Sequence, residues 1–262
     1  MSLPVYLDHN ATTPVDEAVL AAMLPYFRED YGNASSRHEW GTRARKAVDR
    51  AREQVASALG VQPGQVIFVS GGSEANNLFL KGAAAYLRPS QVAVSAVEHP
   101  CVMKPAQDLV RQGWRLRRLA VDGAGRLERE DLEAGFSEPN GLVSVMLANN
   151  ETGVVYDVAS LAEKARATGA LVHTDAVQAF GKIPFDFPSL NVHALTLSGH
   201  KFHGPKGSGV LVVDKRVSLK PLIQGGSHEN GLRAGTENVP AIVGLGAACE
   251  LAAERVRDQV GS

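Results

Sequence analysis

The sequence predicts an α/β protein built on one mostly parallel sheet of seven strands, with helices on both faces. Short apolar runs alternate along the chain with longer segments whose apolar residues recur every three or four positions. This alternation is typical of repeated strand–helix units. The last apolar run, 208–213, follows the previous one too closely to return in parallel, so we expect it to be the antiparallel strand.

The expected elements follow in chain order. A first helix covers 15–27, and a long second helix begins at a capping-box pattern, Ser36 with Glu39, and ends at Gly60. The inward face of the second helix should hold Trp40, Ala44, Ala47, Val48, Ala51, Val55 and Leu59. Strands are expected at 65–70, 91–97, 115–121, 142–147, 170–175, 194–198 and 208–213, and further helices at 74–87, 102–112, near 128, at 158–168 and at 240–260.

The composition excludes several classes of function. With 44% hydrophobic residues and a formal net charge of -1, the chain gives no indication of binding nucleic acid or a membrane surface. It opens without a signal-peptide pattern and contains no apolar run as long as a membrane span, so we expect a cytoplasmic location. Cys101 and Cys249 lack the spacing of a metal site, so we expect no metal and reduced thiols that serve packing.

Lys201 is the first candidate catalytic residue. It follows the apolar run 194–197 within a cluster of small and polar residues, which places it just past the carboxyl end of a buried strand. A lysine that is partly desolvated there loses proton affinity and becomes a nucleophile toward aldehydes. For an arbitrary lysine a surface loop would be the better interpretation, and three other stretches favour the functional one.

These three stretches also place polar residues where strands end. Gly71, Gly72 and Ser73 lie between a strand and a helix, and the free N–H groups of a helix start, beside the serine hydroxyl, suit a phosphate. Asp175 ends another strand, where a carboxylate would keep a pyridine nitrogen protonated, as pyridoxal 5'-phosphate (PLP) chemistry requires. His99 follows a third strand and could lie against a ring or move a proton.

The motifs that contain these residues resemble those of cysteine desulfurases of the NifS/IscS type, within the class V aminotransferase family of PLP enzymes. They occur in the family's order over nearly the whole chain. The matching segments are Tyr6–Pro14, Gly32–His38, Ser70–Asn77, Glu98–Pro100, Asn149–Gly153, His173–Gln178, Ser198–Gly207 and Gly231–Pro240.

The resemblance implies the large domain of the fold type I PLP-dependent transferases, with PLP as cofactor. Lys201 would be the Schiff-base lysine, Asp175 the partner of the pyridine nitrogen and His99 the residue against the ring. The other implied contacts are Gln178 and Asn150 to the ring hydroxyl or the substrate carboxylate, and Gly72, Ser73, Ser198, His200 and Thr236 of the partner subunit to the phosphate.

The implied activity is the conversion of L-cysteine to L-alanine, with the sulfur held as a persulfide on an enzyme thiolate for iron–sulfur cluster or thio-cofactor assembly. The family implies a homodimer and a sulfur-acceptor or scaffold protein as partners. Selenocysteine lyase or another class V PLP enzyme, and a non-catalytic PLP-binding fragment, stay open as alternatives.

The resemblance also implies a division into domains. Residues 1–14 would belong with the family's small C-terminal domain, and 15–262 would be the PLP-binding large domain that ends in the interdomain helix. The small domain, the persulfide-forming cysteine and the arginine that binds the substrate carboxylate have no counterpart in this sequence. We therefore expect this chain alone to bind PLP without turning over cysteine.

Overall fold

The computed structural model describes residues 4–136, 139 and 141–261. Residues 1–3 of the expected N-terminal segment and residue 262 of the expected large domain lie outside the described residues. None of the helices in the described ranges is long and apolar enough to cross a membrane.

Seven strands within the described residues form a single sheet. They are β1 (Val66–Val69), β2 (Gln91–Ser95), β3 (Arg115–Leu119), β4 (Leu142–Ser144), β5 (Leu171–Asp175), β6 (Ala194–Ser198) and β7 (Gly209–Val213). Their order across the sheet is β1-β7-β6-β5-β4-β2-β3. β7 runs antiparallel to β1 and β6, whereas the remaining pairs are parallel. The predicted α/β class, the strand number and the antiparallel member are confirmed.

The helices cover both faces of this sheet. They are α1 (Glu17–Met23), α2 (Pro25–Arg28), α3 (Glu39–Leu59), α4 (Gly72–Ala84), α5 (Pro100–Val110), α6 (Arg129–Gly135), α7 (Val158–Ala167), α8 (Phe187–Leu190) and α9 (Val239–Gly261). Successive β7 residues alternate between two cores: Val210 and Val212 join the core of α3, α7 and α9, while Leu211 and Val213 join that of α4 and α5. This alternation is the two-residue period of a strand that is buried on both faces.

The start of α3 differs from the expected capping box. His38 is the residue before the helix, and its Nδ1 accepts the N–H of Gly41, so Ser36 and Glu39 do not form the predicted cap. The expected inward residues of α3 are buried except Trp40, which is 50% exposed because it lies in the first turn, ahead of the packed stretch. Gly60 ends α3 with a φ of 68°, as predicted for a glycine stop.

The predicted first helix, 15–27, is interrupted. α1 ends at Met23, and Pro25 begins the short helix α2, because proline cannot donate the N–H that a continuous helix needs. Val19 and Met23 are buried, whereas Leu20, Leu24 and Phe27 of the predicted apolar stripe are each close to half exposed. The apolar stripe thus indicated a helix but did not locate its break.

Candidate functional site

A cavity of about 410 Å³ lies at the carboxyl ends of β4, β5 and β6, beside the starts of α4 and α5. Its lining residues are Asp8, Asn10, Ala11, Gly72, Ser73, His99, Cys101, Met146, Ala148, Asn150, Asp175, Val177, Gln178, Ser198, His200 and Lys201. Open α/β sheets bind their ligands at this edge. The cavity brings together nine of the ten residues that the sequence indicated, all but Thr236.

Lys201 reaches the cavity from a single turn of 3₁₀ helix, Gly199–Lys201, directly after β6. Its Nζ donates to the main-chain carbonyls of Asn10 and Ala11, the second at 2.9 Å. Burial lowers the pKa of this ammonium group, and the carboxylates of Asp8 and Asp175 partly oppose that shift. A larger share of free amine at neutral pH follows, as a nucleophilic lysine requires.

Asp175 is the last residue of β5 and only 7% exposed. Its Oδ2 accepts from the Asn76 side-chain amide at 2.7 Å, and its Oδ1 accepts the Val177 N–H at 3.0 Å. Burial raises the pKa of this carboxyl group, and the hydrogen bond from Asn76 opposes that shift. Both contacts are neutral donors, so the carboxylate is held in position without a direct cationic partner among the described residues.

The start of α4 forms another wall of the cavity. Gly71 precedes the helix with a φ of 156°, and a Cβ on the neighbouring strand residue Gly209 would lie 2.6 Å from the Gly71 Cα. Both positions therefore require glycine. The first N–H groups of α4 have no acceptor within the helix, and with the Ser73 hydroxyl they form a seat suited to an anion.

Glu74 fixes the orientation of this helix start. Its Oε2 accepts the Ser70 N–H at 2.8 Å, and its Oε1 accepts from Arg233 Nε at 3.0 Å. Although burial acts to raise its pKa, the hydrogen bonds from Ser70 and Arg233 lower the pKa of this carboxyl group overall.

His99 stands before α5 with an exposed ring. Its Nδ1 accepts the Cys101 N–H at 3.2 Å and lies 2.8 Å from the Cys101 Sγ. Because Nδ1 accepts a main-chain proton, the ring proton of the neutral imidazole belongs on Nε2. Cys101 itself lines the cavity, and burial, with the nearby Asp175 charge, raises the pKa of its thiol to about 11.

The remaining predicted residues fall into two groups. Asn150, Gln178, Ser198 and His200 line the cavity, and the His200 Nδ1 lies 3.1 Å from Thr12 Oγ1. Thr236 lines a separate cavity of about 190 Å³ that also includes Ser70, Arg233 and Glu237. The role of Thr236 of the partner subunit stays a prediction.

The sequence did not indicate every residue of the site. Asn10 and Ala11 belong to the Tyr6–Pro14 motif, yet nothing local in the sequence predicts that they approach Lys201. Asn76 belongs to the segment Ser70–Asn77 and lies three residues after Ser73 on α4. Because residues three apart share a helix face, this spacing could have indicated that Asn76 also faces the site, where it donates to Asp175. Cys101 was expected to serve packing alone, but it lines the cavity.

Comparison with known families identifies this arrangement. A model of the family described as Aminotransferase class-V matches residues 5–260. The chain belongs to the class-V aminotransferase family. The mostly parallel seven-stranded sheet is that of the large domain of fold type I PLP-dependent transferases, as the motifs predicted.

Curated class-V relatives carry a consistent name. Cysteine desulfurase 2 of Trichormus variabilis is 46% identical over 255 residues, which cover 97% of this chain and 64% of that protein. Cysteine desulfurase IscS of Anaeromyxobacter sp. (strain Fw109-5) is 47% identical over 257 residues, which cover 96% of this chain and 64% of that protein. The chain thus spans about 64% of the length of these relatives.

Solved structures of the class-V family are similar over the same extent. A NifS-like protein superposes with a TM-score of 0.95 at 41% identity, covering 98% of this chain and 71% of that one. A structure described as SspA in complex with cysteine has a TM-score of 0.90 at 37% identity, covering 94% of this chain and 72% of that one.

Proposed function

We propose that this chain is the PLP-binding part of a cysteine desulfurase. The observation that carries the proposal is the convergence of Lys201, Asp175 and the start of α4 on one cavity of about 410 Å³. Relatives at 46% and 47% identity that are named cysteine desulfurase supply the substrate, L-cysteine. The same proposal includes a homodimer, a sulfur-acceptor or scaffold protein as partner, and a cytoplasmic location.

The chemistry of the cavity fits PLP. The cofactor carries an anionic phosphate, an aldehyde and a basic pyridine nitrogen, and the cavity offers the α4 start with Ser73, the Lys201 amine and the Asp175 carboxylate, respectively. Asp175 supports the fit because a carboxylate that is 7% exposed, and whose two hydrogen-bond donors are neutral, is costly to ionise. A protonated ring nitrogen would remove that cost.

When bound, PLP supplies the conjugated ring that takes up the electron pair left on a substrate Cα after proton loss. Lys201 would provide the amine that holds the aldehyde and a base for the substrate Cα proton. Asp175 would hold the ring nitrogen in its protonated state. The Nε2–H of His99 would provide a donor in the cavity wall.

The sulfur-transfer step needs a further group. Desulfuration breaks the substrate C–S bond and forms an S–S bond on an enzyme thiolate, leaving alanine. Cys249 is fully buried in α9, and burial raises the pKa of its thiol far above the usual range. Burial and the nearby Asp175 charge, which raise the pKa of the Cys101 thiol to about 11, also disfavour thiolate formation. We therefore propose that the thiolate comes from outside these 262 residues.

Covalent attachment of PLP to Lys201 tests the proposal. The purified protein should be yellow, and borohydride reduction followed by peptide mass spectrometry should place the cofactor on Lys201. Lys201→Ala should lose the fixed adduct, whereas the same change at the exposed Lys215 should retain it. An adduct that persists in Lys201→Ala would show that the lysine is wrongly assigned.

Incubation with L-cysteine and a reductant tests the sulfur step in the same preparation. We expect less than one equivalent of alanine and sulfide per site. Multiple turnovers that disappear in Cys101→Ser would contradict our exclusion of that thiol.

A further inference from the structure

Lys182 does not line the cavity, but it contacts two residues that do, and it was not among the candidate residues. Its Nζ donates to Gln178 Oε1 at 2.6 Å and to Asn10 Oδ1 at 3.0 Å. Gln178 lines the cavity, and the main-chain carbonyl of Asn10 accepts from both Gln178 Nε2, at 2.9 Å, and Lys201 Nζ. The two lysines are thus linked through a single residue, Asn10.

The chemistry of an ammonium group decides how the two amides must face. Lysine has three donors and no acceptor, so only the amide oxygens of Gln178 and Asn10 can turn toward it. The amide nitrogens must then point away from Lys182: Gln178 Nε2 donates to the Asn10 carbonyl, and Asn10 Nδ2 donates to the Asn150 carbonyl at 3.2 Å. The Lys182 ammonium group and the two main-chain carbonyls therefore favour the same orientation of both amides, and Lys182 supplies the donor on the oxygen side of each.

We propose that Lys182 is a positioning residue of this site, whose ammonium group fixes the amides of Gln178 and Asn10 and places a second positive charge beside Lys201. This inference rests on the proposed function, because it deepens the role of the same cavity. It adds a determinant of Lys201 reactivity that lies outside the cavity lining.

The charges around the pair support this role. Burial lowers the pKa of Lys182, and the charge of Lys201 lowers it further. Repulsion between two ammonium groups is mutual, so Lys182 also disfavours the protonated form of Lys201. The carboxylates of Asp8 and Asp175 act in the opposite direction and raise the pKa of Lys201. A further titratable neighbour is His200, whose pKa is lowered by burial and by the charge of Lys201.

The effect can be measured on the protein without cofactor. Reductive methylation with formaldehyde and cyanoborohydride, read at Lys201 by peptide mass spectrometry, reports the free-amine fraction directly. At pH 7.5 we expect Lys182→Met to slow labelling of Lys201 by about three- to tenfold, because one neighbouring positive charge is removed. Lys182→Arg should recover most of the rate, and Lys215→Met, at an exposed lysine without a contact to Gln178, should match the unaltered protein.

A second measurement separates this inference from the proposed function. PLP affinity should fall about three- to tenfold in Lys182→Met, because the Gln178 amide loses one of its two hydrogen bonds and is less firmly held toward the cavity. If the unaltered protein takes up no PLP while Lys182→Met still slows methylation, the proposed function fails and the positioning role stands. Unaltered labelling in Lys182→Met, or a slowing shared with Lys215→Met, overturns the inference, as does a variant whose only change is a lower unfolding temperature.

Discussion

Asp175 is the residue whose surroundings bear most directly on the chemistry of the site. A buried carboxylate normally needs a cationic partner, yet its direct contacts are the Asn76 amide and a main-chain N–H. These two donors hold the carboxylate in one orientation while leaving it costly to ionise. The arrangement suits a group that is to be paired with a positively charged ligand atom.

Replacement of Asp175 by Asn tests this interpretation. We expect Asp175→Asn to retain covalently attached PLP, because the α4 start and Lys201 are untouched. Removal of the Cα proton of a bound L-amino acid should slow by about 100-fold, the order of effect of losing one electrostatic partner in a closed site. Exchange of the Cα hydrogen with deuterium from solvent, followed by NMR, measures it.

Asp122→Asn is the control, since that residue does not line the cavity and its carboxylate accepts hydrogen bonds from Ala124 and Arg126. If Asp175→Asn exchanges as fast as the unaltered protein while binding PLP, the carboxylate does not act on the ring nitrogen.

At the scale of elements, an ion pair ties the glycine-rich loop before α9, residues 225–238, to the sheet. Glu229 is 7% exposed, and its carboxylate receives both Arg52 terminal nitrogens, at 2.9 and 2.7 Å, and the Phe68 N–H of β1 at 2.8 Å. Arg52 extends from α3, donates to the Val66 carbonyl and lies 4.8 Å above the Phe68 ring. The edge strand, the long helix and the loop before Thr236 are thus joined at one point.

Arg52→Ala should therefore destabilise the protein by about 3 kcal/mol or more, because it leaves the Glu229 charge buried without its partner. Arg43→Ala is the matched control and should cost far less: Arg43 lies on the same helix, but its side chain is exposed and solvent screens its pairs with Glu39 and Asp30. Urea unfolding followed by circular dichroism compares the two. Equal losses of unfolding free energy would show that the pair does not anchor the loop.

The elements also show what the sequence could predict. Lys201, Asp175 and His99 each follow an apolar run, and parallel strands bring their carboxyl ends to one edge, so local patterns sufficed to place them together. The contact between Lys182 and Asn10 joins residues 172 positions apart, and no local pattern encodes such a pairing. The His38 cap was missed for a different reason, because a ring nitrogen can replace the serine oxygen of a capping box.

At the scale of the whole molecule, two further buried titratable side chains, His173 and Glu98, lie in or beside the sheet. The His173 ring stacks on Phe79 at 4.9 Å and lies between the Ser144 and Thr196 hydroxyls, and burial lowers its pKa to about 3. Glu98 Oε1 accepts from Ser95 Oγ and the Met146 N–H, and burial raises its pKa to about 8. At neutral pH both side chains are uncharged.

These two groups act on stability in opposite directions as pH changes. In the unfolded chain the pKa of a histidine is near 6.5, whereas the folded pKa of His173 is about 3. The contribution of neutral His173 to the unfolding free energy is therefore lost as pH falls below 6.5. The folded pKa of Glu98 lies above the ordinary glutamate pKa of 4.5. The contribution of protonated Glu98 to the unfolding free energy is therefore present at low pH and is lost as pH rises toward about 8. Between pH 5 and 6.5 the two effects nearly cancel, each amounting to about 1.5–2 kcal/mol.

Single replacements should reveal each contribution. In Glu98→Gln the amide oxygen can still accept from Ser95 and Met146, and the unfolding free energy should rise relative to that of the unaltered protein by about 2 kcal/mol between pH 5 and 6.5.

In His173→Gln the unfolding free energy should fall relative to that of the unaltered protein by about 1.5 kcal/mol over the same interval, on top of any loss that is independent of pH. His9→Gln, at an exposed position, controls for the replacement itself. Urea titrations at the two pH values supply the differences, and variants that both follow the unaltered protein would mean that neither buried group changes its protonation on unfolding.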